Sequence, residues 1–106
     1  MSKKTTTDAP KILARMTGKD LKLQHEFEEE LAHREVARKI YQLRGGARLS
    51  QAELARRVGT TQSVISRLED ADYDGHSLAM LNRIAAAVER RVEIRFVARK
   101  RQMQVV

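Results

Sequence analysis

The chain has 106 residues, 42% of them hydrophobic and only 4% aromatic, so it has room for one domain with a small aliphatic core. It contains no cysteine, which excludes a disulfide framework, a cysteine-based zinc site and thiol catalysis. A net charge of +7 points to an anionic partner, most simply nucleic acid, and no apolar run approaches the roughly 20 residues of a membrane span.

The charge is unevenly placed. Residues 1–25 carry +4, 26–35 carry −4, 36–67 carry +6, 68–76 carry −4 and 77–106 carry +5. Residues 1–17 hold the only proline and little periodicity, and are expected to form a flexible basic tail. That tail is either an untied terminus or an arm that touches phosphate or a protein. Its basic residues precede no apolar stretch, so a secretory signal is not expected. One domain is expected over 18–98, and residues 99–106 (RKRQMQVV) read as a second basic tail.

Between Gly18 and His33, Phe27 and Leu31 form an i, i+4 pair among helix-favouring glutamates. The stretch predicts a helix with an apolar edge and an acidic face. It either lids the core or docks a basic protein. Val36, Ile40 and Leu43 predict a helix over Glu35–Arg44, separate from the preceding one or continuous with it, ending at Gly45-Gly46.

The segment LSQAELARRVGTTQSVISRLED, Leu49 to Asp70, predicts helix, turn and helix. Ser50 followed by Glu53 is a capping box. Gly59 supplies the left-handed residue that ends the first helix, and Thr61 or Thr60 caps the second. Leu54, Ala55 and Val58 should line one inner face, and Val64, Ile65 and Leu68 the other. Ser77 should cap a further helix with Leu78, Leu81, Ile84, Ala85 and Val88 facing inward. After Arg90 the apolar period changes to two: Val92, Ile94 and Phe96 alternate with charge, which predicts a strand. A lone strand leaves backbone groups unpaired, so the economical partner is the same strand of a second copy.

In a helix-turn-helix the start of the second helix reads base edges while phosphate contacts position it. Gln62 suits adenine and Arg67 suits guanine. Ser63 and Ser66 reach a base or a phosphate. Gln51 stands at a helix N-terminus, which favours phosphate. The hydroxyls of Thr60 and Thr61 lie beside the same backbone, and Arg56 and Arg57 add electrostatic attraction.

These residues resemble the XRE-type helix-turn-helix of lambdoid phage repressors and Cro proteins over about residues 36–88. The resemblance implies a mainly α, lambda-repressor-like bundle, here of about five helices, with the single C-terminal β-strand pairing across a dimer. It implies DNA contacts at the positions matching Gln51, Thr61, Gln62, Ser63 and Arg67, and a partly buried structural ion pair between Arg44 and Glu69. The helix-turn-helix followed by LNRIAAAV and a strand is similar to HigA-type antitoxins of type II toxin–antitoxin pairs. That implies a cytoplasmic, dimeric repressor of its own operon that binds a palindromic operator and neutralises a RelE/HigB-like ribonuclease toxin. A stand-alone prophage or plasmid regulator is the alternative. From another class comes a protein-interaction module with a vestigial helix-turn-helix.

Asp70-Ala-Asp72-Tyr-Asp74-Gly75 opens like an EF-hand loop, but the position needing a bidentate acid is Leu81, so no calcium site is expected. His25, His33 and His76 lack metal-ligand spacing. No catalytic order of residues stands out, and neither enzymatic activity nor a cofactor is expected.

Overall fold

A computed structural model describes residues 17–98. The greater part of both expected tails, residues 1–16 and 99–106, lies outside them. The chain divides into two compact units; Glu28–Glu93 forms one, and residues 17–27 and 94–98 belong to the other. Among the described residues four helices follow in order: α1 (Gly18–Gly46), α2 (Gln51–Val58), α3 (Gln62–Leu68) and α4 (Leu78–Ala87).

Among the described residues the count is four, where about five were expected, because the two N-terminal helical stretches are one. No glycine or proline interrupts residues 19–44, so nothing forces a break. Thr17 starts α1: its Oγ1 accepts the Asp20 N–H at 3.1 Å, and the Asp20 carboxylate accepts the Thr17 hydroxyl at 2.9 Å. The helix ends at Gly46, within the expected Gly45-Gly46, but neither glycine is the left-handed residue. The left-handed residue is Arg48, at φ 59°, and the Leu49 N–H returns to the Arg44 carbonyl at 3.2 Å. This is a Schellman ending, with arginine where glycine is usual.

α2 opens with the capping box. Ser50 Oγ accepts the Glu53 N–H at 3.1 Å, and the Glu53 carboxylate accepts the Ser50 N–H at 2.7 Å. That backbone hydrogen bond holds the Glu53 carboxyl below its ordinary range. Gly59 ends the helix at φ 85°, a conformation that suits glycine. Thr61, not Thr60, caps α3, and Ser77 caps α4.

The core of the Glu28–Glu93 unit is aliphatic. Ile40 from α1, Leu54, Ala55 and Val58 from α2, Ile65 and Leu68 from α3 and Ile84 from α4 form one buried cluster. Leu54 and Ile65 are fully enclosed. Leu81 and Val88 pack at its edge. Leu78 does not reach it: expected to face inward, it is 51% exposed as the first residue of α4.

Residues 90–98 form no helix, and among the described residues there is no strand. The expected β-strand over Val92, Ile94 and Phe96 therefore has no counterpart in the single chain. A strand is defined by its ladder, and none of the described residues supplies a second one. Phe96 is 98% exposed and Ile94 60%. Among the described residues no helix is long and apolar enough to cross a membrane.

Candidate nucleic-acid interface

At about 100° per residue, Gln62, Ser63, Ser66 and Arg67 fall within an arc of about 140° on α3. Val64, Ile65 and Leu68 occupy the opposite side. The four polar side chains are all exposed, while Ile65 and Leu68 are buried against α2 and its neighbours. The core thus fixes which face of this short helix is presented to solvent.

Thr61 begins the helix. Its Oγ1 accepts the Val64 N–H at 3.3 Å, and the hydroxyl proton stays available as a donor. Thr60 is partly buried in the turn, its N–H returned to the Ala55 carbonyl at 2.8 Å. Arg56 and Arg57 are exposed on α2, at the end where basic side chains complement the helix dipole.

Arg44 and Glu69 are joined across 25 residues of sequence. Arg44 Nε donates to Glu69 Oε2 at 2.6 Å and Nη2 to Oε1 at 3.0 Å, a two-pronged guanidinium–carboxylate match. The side chains are 16% and 6% exposed. Arg44 Nη1 also donates to the Leu49 carbonyl at 2.9 Å, and the Tyr41 ring centroid lies 5.4 Å from the guanidinium carbon. Glu69 raises the Arg44 pKa and keeps the guanidinium charged. The pair ties the end of α1 to the end of α3 and to the approach to α2.

Gln51 joins this network. Its Nε2 donates to Glu69 Oε1 at 3.1 Å, which uses one of the two amide N–H groups and orients the side chain. Sequence spacing carried no signal for this bond, because the partners stand 18 residues apart. The same holds for Arg83, whose Nη2 donates to the Val58 carbonyl at 2.8 Å from α4. At the same C-terminal end of α3, His76 Nε2 meets the Leu68 carbonyl at 2.7 Å, and the Tyr73 ring stands edge-on to the His76 ring at 5.0 Å. The loop between is acidic. Its Asp70 carboxylate accepts the Asp72 N–H at 2.8 Å, an Asx turn.

The polar arc therefore runs the length of α3, from Gln62 and Ser63 at its start to Ser66 and Arg67 in its last turn, with three exposed aspartates, Asp70, Asp72 and Asp74, beyond its C-terminal end. A model of a helix-turn-helix domain family matches residues 11–97. The chain belongs to that family. DNA binding is the function this helix-turn-helix domain points to, and α2 and α3 are its two helices. No curated protein and no solved structure matches the chain.

Nothing in the single chain tests the expected pairing of Val92, Ile94 and Phe96 across a dimer. They follow α4 in the segment without secondary structure, Val92 half-buried and the other two exposed.

Proposed function

We propose that the chain is an XRE-type, sequence-specific DNA-binding repressor whose reading surface is the polar arc of α3. The observation that carries this is the placement of Gln62, Ser63, Ser66 and Arg67 on one exposed face, with Ile65 and Leu68 behind them in the core. In this reading Gln62 and Arg67 select bases. Ser63 and Ser66 contact base or phosphate, and Gln51, Thr60, Thr61 and Arg56 engage the backbone. The protein is a non-catalytic, cofactor-free binder in the cytoplasm. It acts as a homodimer through Val92, Ile94 and Phe96, so two reading helices meet half-sites a helical turn or a multiple apart.

The finer reading is an antitoxin that represses its own operon and neutralises a RelE/HigB-like ribonuclease toxin. Its support is the resemblance of the helix-turn-helix and its flanks, together with the exposed apolar side chains Leu21, Leu23, Phe27 and Leu31 on the N-terminal half of α1. Solvent-exposed apolar residues in such number are a usual mark of a protein contact.

The test has two arms. The full chain is titrated onto duplex DNA from upstream of its own gene and onto a scrambled duplex, at several salt concentrations. A preference for the upstream duplex, lost in Gln62→Ala or Arg67→Ala, is expected; equal discrimination by both mutants removes the reading arc from the proposal. The gene is then co-expressed with the neighbouring reading frame. Rescue of growth supports the antitoxin, and a harmless neighbour leaves the stand-alone repressor.

A further inference from the structure

Arg83 lies on α4, outside the arc assigned to DNA, and its partners are main-chain carbonyls rather than carboxylates. Its Nη2 donates to the Val58 carbonyl at 2.8 Å and to the Gly59 carbonyl at 3.3 Å. These two groups form the exit of α2. Carbonyls at a helix C-terminus lack intrahelical partners and carry the negative end of the dipole, so a guanidinium suits both. The Ala55 carbonyl already accepts the N–H groups of Gly59 and Thr60, at 2.9 and 2.8 Å. The local chain therefore closes the inner side of the turn, and Arg83 closes the outer side from another helix.

Two residues after Gly59, Thr61 starts the reading helix. Gly59 is the most permissive backbone position in the turn and stands at φ 85°. Left to local forces, it allows the chain several exit directions. Arg83 Nη2 lies 3.5 Å from where a Cβ on Gly59 would be, so the guanidinium is against this residue itself. We propose that Arg83 is a positioning residue for DNA recognition. By clamping the Val58 and Gly59 carbonyls it sets the pose of Thr61, Gln62 and Ser63 at the start of α3. This rests on α3 being the reading helix.

The competing role for an exposed arginine is a direct phosphate contact, and the two differ in what they change. A phosphate contact contributes to binding of any duplex and to its salt dependence, whereas a clamp contributes to discrimination between sequences. The wild-type chain first enriches a preferred duplex from a random library. Wild type, Arg83→Met and Arg83→Lys are then titrated onto that duplex and onto an unselected one of equal length. Backbone amide exchange of Gly59 to Gln62 is followed in the free proteins.

Arg83→Met is expected to lower the selected-to-unselected affinity ratio about tenfold, the scale of one lost base contact. It should leave the unselected affinity and the slope against log salt unchanged, and speed exchange at Gly59 to Gln62. Arg83→Lys, which keeps one charged donor, should restore part of the ratio and the protection. Should the methionine variant fail to fold, the lysine variant alone decides, by an intermediate loss of ratio and protection. An unchanged ratio overturns the proposal, as does a slope reduced by about one with unaltered amide exchange. A wild-type chain that enriches no sequence overturns the DNA reading itself, and the positioning role with it.

Discussion

The reading unit, α2 to α3, and the segment after Arg90 are built on opposite principles. Every end of the reading unit is closed from within the chain: the Ser50–Glu53 box, left-handed Gly59, the Thr61 cap, and Arg44, Arg83 and His76 from neighbouring elements. The C-terminal segment has an equally clear apolar alternation but no strand partner among the described residues, and Phe96 is 98% exposed. Pattern alone makes structure only where the surrounding chain completes the hydrogen bonds and covers the apolar face. The first region is self-sufficient. Nothing among the described residues completes the second.

The sharpest way to break this contrast is to empty the self-sufficient region. Leu54 and Ile65 are both 0% exposed and meet between α2 and α3. Leu54→Ala or Ile65→Ala should cost about 2–5 kcal/mol, which in a small domain is a large share of the roughly 5–15 kcal/mol available. Urea denaturation should show the midpoint falling, or no folded baseline at all. A loss below about 1 kcal/mol would mean that the two helices do not depend on each other for their core.

Next in size is the buried carboxylate. Glu69→Ala removes three acceptor bonds and strands the Arg44 guanidinium, which is only 16% exposed. A loss of about 3 kcal/mol is expected, because an unpaired charge is left in a poorly solvated place. The double change Arg44→Met, Glu69→Leu should recover much of it. If the double variant is as unstable as the single one, the pair contributes more than its own satisfaction.

These two regions also divide what was legible in the sequence. Caps were readable because cap and partner lie three residues apart: Ser50 with Glu53, Thr61 before Val64, Ser77 before Met80. The buried faces of α2 and α3 followed from helical period. Helix endings were harder. The chain carries glycines at 45 and 46, yet the left-handed residues after α1 and α4 are Arg48 and Glu89. Glycine is usual at such a position, and at both the chain carries an exposed charged residue instead. Leu78 was misplaced because period alone does not tell an N-terminal turn from a helix interior. The bonds Gln51–Glu69 and Arg83–Val58 left no local signal, since 18 and 25 residues separate the partners. Arg44–Glu69 entered as an expectation only through family resemblance.

A smaller effect tests the local closures. Ser50→Ala should cost about 1 kcal/mol by leaving the Glu53 N–H without its cap. The Glu53 carboxyl is held below its ordinary value, so the folded chain binds fewer protons there than the unfolded chain. Its contribution is complete above the unfolded value and is lost as the pH falls through the lowered one. Glu53→Gln should therefore flatten part of the acid-side decline in thermal stability. An acid profile identical to wild type would remove the carboxylate from the box. Opposite in sign is Arg48→Gly: relief of a left-handed arginine, offset by glycine's unfolded-state entropy, should gain about 0.5–1 kcal/mol.

The smallest effect on folding is expected where the effect on assembly is largest. Ile94 and Phe96 are exposed and lie outside the buried core cluster, so Ile94→Asp or Phe96→Asp should change monomer stability by less than about 0.5 kcal/mol. If the segment pairs with its copy, wild-type Tm should rise with protein concentration, because association adds mass-action stability to the folded state. The aspartate variants should show a concentration-independent Tm equal to the dilute wild-type value and sediment as monomers. They should also bind a single half-site about as well as wild type while losing the gain that a palindrome gives, since that gain comes from linking two reading helices. A wild-type chain that stays monomeric at every concentration would place the completing partner elsewhere: the alternation over Val92–Val97 would then need a different protein's strand, and the spacing between reading helices could not come from this segment.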